Sequence, residues 1–83
     1  MSKTILLVED EALIAMAEER TLRKYGYEVI TAYEGQQAVS LVEENPDISL
    51  ILMDIDLGRG MDGTETAKKI LEKNDLPIVF ISS

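Results

Sequence analysis

The chain has 83 residues, of which eight are Lys or Arg and sixteen are Asp or Glu, with neither cysteine nor histidine. That length holds one domain, and 46% apolar residues make it a globular one with a thin core. A formal charge of −8 repels phosphate backbones and anionic headgroups, so neither nucleic acid nor membrane is expected as a partner.

The first apolar run, Ile5-Leu6-Leu7-Val8, is continuous rather than alternating, which predicts a strand covered on both faces. Acid at Glu9 cuts it short of a signal peptide or a spanning segment, and a cytoplasmic protein is expected. Asp10 then stands where a helix N-cap is wanted, ahead of a predicted helix over 11–25. Leu13, Ile14, Ala17 and Thr21 share one face of that helix, and Gly26 ends it. Residues 27–32 alternate in part, as an edge strand does. A second helix is expected over 35–44, with Ala38, Leu41 and Val42 inward and Asn45-Pro46 as its stop. Residues 48–53 read as another fully covered strand. A third helix is predicted over 64–73 with Ala67, Ile70 and Leu71 inward, and Ile78-Val79-Phe80-Ile81 reads as a last strand.

Strands alternating with helices imply right-handed crossovers and a parallel sheet, as one domain over 1–83. In such sheets ligands bind outside the carboxyl ends of the strands. Glu9, Asp10 and Glu11 come after the first strand, Asp54 and Asp56 after the third, and Ser82 and Ser83 after the last. If the first and third strands are neighbours, Glu9, Asp10 and Asp54 converge.

Without cysteine or histidine, thiolate and imidazole chemistry are excluded. Carboxylates, hydroxyls and a hard cation remain. Two like charges 4 Å apart repel by about 4 kcal/mol at an effective dielectric near 20. Either one carboxyl keeps a proton or a cation fills the space. All-oxygen ligands suit Mg²⁺, with Mn²⁺ and Ca²⁺ as alternatives, and a carboxylate can act as nucleophile toward phosphorus.

Four motifs in this order resemble the receiver domain of two-component response regulators. They are residues 5–11, residues 50–57, Met61-Asp62-Gly63, and residues 76–83. The resemblance implies a three-layer, flavodoxin-like fold with strand order 2-1-3-4. It implies that Asp54 is a phosphoacceptor served by a sensor histidine kinase. Mg²⁺ would be held by Asp10 directly, by Glu9 through water, by Asp54 and by the backbone carbonyl of Asp56. Ser82 would be the switch hydroxyl.

Two departures accompany the resemblance. The loop from Ile55 to Gly63 lacks the usual proline and is one residue longer than the common form. The family's fifth βα unit, with its phosphoryl-contacting lysine, has no counterpart here; Lys3, Lys24, Lys68, Lys69 and Lys73 are not in that position. Phosphotransfer is therefore expected to be impaired. The last strand then presents an apolar, uncharged edge, and homo-oligomerisation through it is expected.

Two other classes fit less of the chain. Residues 50–56 also match the strand end of haloacid-dehalogenase-type phosphatases, in which the first Asp is the nucleophile. Glu9-Asp10 lying upstream separates the two readings. A receiver-derived module that only pairs with another chain is the third.

Overall fold

The computed structural model describes residues 3–55, 57–58 and 60–81. Along them run β1 (Thr4–Val8), α1 (Ala12–Lys24), β2 (Glu28–Ala32), α2 (Gly35–Glu44), β3 (Ile48–Asp54), α3 (Gly63–Leu71) and β4 (Ile78–Ile81). The strands are all parallel, in the order β2-β1-β3-β4. This is the flavodoxin-like order expected, with β1 and β3 adjacent.

β1 lies inside the sheet between β2 and β3, and all five of its residues are buried. Helices cover both faces there, which explains its continuous apolar run. On one face α1 closes over Leu7 and Val29 with Ala15, while Leu22, Leu52 and Ile81 pack partly buried around them. On the other face α2 and α3 bring Ala38, Val42 and Ile70 onto Leu6, Val8 and Met53.

Two helices present a different face from the one expected. In α1 the inward residues are Ala15, Ile14, Glu18 and Leu22, whereas Leu13 is 82% exposed and Ala17 and Thr21 face water. The small Ala15 lets the helix approach the sheet, and the apolar arc turns with it. The N-cap of α1 is Glu11 rather than Asp10, and no side chain bonds there. In α3, Ala67 and Ile70 are buried as expected, but Leu71 is half-exposed and Thr66 is fully buried. The Thr66 hydroxyl donates to the Asp62 carbonyl at 2.8 Å, which makes a polar residue acceptable inside. Asp62 caps α3, accepting from the Glu65 N–H at 2.8 Å.

The register between β1 and β3 shifts once. Thr4 pairs with Ile48, but Ile5 pairs with Leu50, leaving Ser49 as an extra residue. The Ser49 hydroxyl donates to the Thr4 carbonyl at 3.1 Å across this irregularity. Beyond it Leu7 pairs with Leu52 and Val8 with Met53.

β4 is less covered than the other runs. β4 pairs with β3, and Val79 and Phe80 remain exposed among the described residues.

α2 meets α3 at Gly35, where an added Cβ would collide with Thr66 Oγ1 and crowd Met61. Gly35→Ala is therefore expected to destabilise the fold by about 1–3 kcal/mol, although alanine is the better helix former. Urea unfolding of the two proteins measures this, and an unchanged or raised midpoint would contradict the close packing.

Candidate functional site

Val8 and Met53 are paired across β1 and β3, so their successors stand side by side: Glu9 just after β1 and Asp54 at the end of β3. Side chains alternate along a strand, so both acids share the face of Leu7 and Leu52, the one beneath α1. Glu9 is 1% exposed and Asp54 2%. Asp10, one residue on in the turn before α1, is exposed. One carboxylate oxygen from each of Glu9, Asp10 and Asp54 lies within 4.8 Å of the others. The convergence expected from the sequence is present.

Backbone groups hold this arrangement. The Glu9 N–H donates to the Ala32 carbonyl at 3.0 Å, extending the ladder with β2 by one step. The Glu11 N–H donates to Glu9 Oε1 at 3.1 Å. Ile81 pairs with Asp54, and the Ile55 N–H donates to the Ile81 carbonyl at 3.2 Å, so β4 reaches the same edge.

Burial is the main cause that pushes the Glu9 carboxyl up from 4.5 to about 7. The Glu11 N–H opposes it, while the charge of Asp54 and hydrogen bonds shared with Asp54 and Asp10 favour the protonated form. Below about pH 7 Glu9 thus keeps a proton when no cation is present, the first of the two outcomes foreseen, with burial contributing more than repulsion. The donor set of three carboxylates with no nitrogen or sulfur fits a hard divalent cation.

The sequence reading missed Glu18. It sits on the inward side of α1, and burial, then the charge of Asp54, raises its carboxyl above the usual range. Its Oε1 is buried with no hydrogen-bond partner among the described residues. A glutamate amid the helix's apolar arc was the available signal. Gly58 was missed as well; it has φ +71 and its backbone approaches Asp10. Asp56 and Ser82, expected as a carbonyl ligand and a switch hydroxyl, lie outside the described residues. No helix among those residues is long and apolar enough to cross a membrane.

A family model described as the response regulator receiver domain matches residues 5–83. Among solved structures, the chain is similar to a yeast Spc42 trimeric coiled-coil segment fused to another structure, with 45% identity and a TM-score of 0.94. That match covers 99% of this chain and 55% of the other. It is also similar to the N-terminal domain of a response regulator/sensory box/GGDEF three-domain protein from Carboxydothermus hydrogenoformans. There the identity is 46%, the TM-score 0.92, and the coverage 96% of this chain and 64% of that one. The receiver domain of the hybrid histidine kinase CckA matches with 37% identity and a TM-score of 0.85, covering 93% of this chain and 72% of that one. The chain thus spans 55% and 64% of the first two chains' length.

Between pH 4.5 and about 7, folded Glu9 holds a proton that the unfolded chain has released. Without a divalent cation, stability is therefore expected to fall as pH rises through that window, by at most roughly 3 kcal/mol. Glu18, also raised, contributes in the same direction. Urea unfolding in chelator at about pH 5 and about pH 8 measures the slope. Glu9→Gln is expected to flatten it.

Proposed function

The chain belongs to the response regulator receiver family, and on that premise we propose that it is the phosphoacceptor module of a two-component phosphorelay. One observation carries the reading: the oxygens of Glu9, Asp10 and Asp54 lie within 4.8 Å of one another at the carboxyl edge of the sheet, where open parallel sheets take their ligands.

In this reading Asp54 is the nucleophile. Its carboxylate oxygen bonds to the phosphorus of a phosphohistidine on a sensor histidine kinase. The P–N bond breaks, its electron pair leaves with the imidazole, and the imidazole nitrogen takes a proton from solvent. The product is an aspartyl phosphate. Glu9, Asp10 and Asp54 hold Mg²⁺, which supplies countercharge to the carboxylates and phosphoryl oxygens; Mn²⁺ and Ca²⁺ suit the same donors. Glu9 must give up its proton to serve there, whether directly or through a water. The resemblance adds the Asp56 carbonyl as a further ligand and Ser82 as the hydroxyl that reaches the phosphoryl group.

No lysine of the chain stands in for the family's phosphoryl-contacting one. Lys24, Lys68 and Lys69 lie in the last turns of their helices. Those turns face the opposite edge of the sheet, since each helix runs back against its strands. Lys73 stands 3.7 Å from Glu43. The chain works in the cytoplasm, beside the kinase domain that would supply it.

A second reading rests on β4. Ile78 to Ile81 carry no charge, Val79 and Phe80 are exposed, and β4 pairs on one side only among the described residues. An uncharged apolar strand edge of this kind pairs readily with another copy of the chain.

Phosphoramidate with Mg²⁺ is expected to add one phosphoryl group to the intact mass. Asp54→Asn, or chelation of the cation, is expected to prevent it. No gain in mass, or a gain that survives Asp54→Asn, overturns the reading. Because a proton on Glu9 competes with the cation, Mg²⁺ affinity is expected to fall by up to about tenfold per pH unit below about 7. Light scattering at micromolar concentration tests the second reading, and a monomeric mass with a cooperative melt would overturn it.

A further inference from the structure

We propose that Gly58 is the positioning residue for the Asp10 carboxylate, the one cation ligand of the three that the sheet itself does not bury. This rests on the reading of the acidic cluster as a Mg²⁺ site.

Glu9 and Asp54 are held by burial and by strand register, but Asp10 is exposed in a turn and has no capping role in α1. Against it lies the loop between β3 and α3. A Cβ at Gly58 would stand 2.8 Å from Asp10 Oδ2 and 3.9 Å from Asp10 Cγ. The glycine backbone therefore forms a wall beside the carboxylate. The wall is anchored to the core, because the preceding residue, Leu57, is 2% exposed and packs in the cluster beneath α2 and α3. Of the two partners the carboxylate is the mobile one. A side chain at position 58 would leave the loop in place and turn Asp10 away, so its oxygen would no longer point at the other two ligands.

Gly60 supplies an internal control. Its φ is +69 against +71 for Gly58, so alanine is strained in the backbone at both positions. A Cβ at Gly60 meets nothing within 4 Å among the described residues. The two alanine variants thus share the backbone penalty, and only one touches Asp10.

Gly58→Ala and Gly60→Ala are expected to lower the melting temperature alike, by about 4–8 °C or more. Only Gly58→Ala is expected to weaken Mg²⁺ binding, roughly tenfold or more by calorimetric titration with the metal alone. In chelator, the side-chain carboxyl carbon resonance of Asp10 is expected to move in Gly58→Ala and to stay in Gly60→Ala. Equal Mg²⁺ affinities in the two variants, or an Asp10 resonance that moves equally in both, overturns the proposal. If the unaltered chain binds no Mg²⁺, the reading of the cluster fails, while the Asp10 resonance still decides the contact. Where alanine at 58 leaves too little folded protein, Gly58→Asn and Gly60→Asn repeat the comparison. Asparagine tolerates the left-handed backbone better and carries the same Cβ.

Discussion

Glu9 and Asp54 are both shielded almost wholly from water, and they occupy adjacent positions on neighbouring strands. Charged carboxylates in that setting repel strongly, and burial adds to the cost by removing the solvent that would screen them. Neither can swing away. β1 is buried along its length, and β3 is paired on both sides by β1 and β4. The fold therefore holds an electrostatic conflict in place, and the conflict is relieved by whatever positive charge arrives there. A proton on Glu9 relieves it partly; a divalent cation relieves it more completely and leaves the oxygens free to act.

The rest of the molecule is arranged unequally around this point. Beneath α2 and α3 the core is closed, with Leu57, Ile70 and Met53 fully buried and Gly35 set tightly against Thr66. Beneath α1 it is thinner, resting on three buried residues with partly covered neighbours, and Glu18 lies among them. Both buried acids of the cluster share that thinner side, and the charge of Asp54 reaches Glu18 as well. The more closely packed side carries the loop that walls Asp10, and the thinner side carries the charge.

Much of this was legible in the amino-acid sequence. Short continuous runs marked covered strands, and Gly26, Asn45 and Pro46 marked helix ends. The placement of Glu9, Asp10 and Asp54 came from one rule about the carboxyl ends of parallel strands. The α1 face was not legible, because Leu13, Ile14, Ala15, Met16 and Ala17 are all apolar and any of several arcs satisfies a helical period. Thr66 hid its inward place because a hydroxyl can bond back to its own helix, which no hydropathy pattern records. The contact between Gly58 and Asp10 joins segments far apart in the chain, so only the fold could bring it into view.

The extra residue Ser49 has a consequence for how dependably the site forms. A strand alternates its side chains with a period of two, so a slip of one position exchanges its two faces. Ile48, Ile51 and Met53 share a face although the first two are three residues apart, and the irregularity at Ser49 absorbs the odd residue. In the slipped alternative Glu9 would stand against Met53, and Leu7 against Ile51. The core would then be wrong for the same reason that the acids were apart. Packing thus proofreads chemistry: a molecule that has buried its apolar residues correctly has already brought Glu9 and Asp54 together. A folded population with Glu9 and Asp54 apart is one that this sheet is poorly able to make.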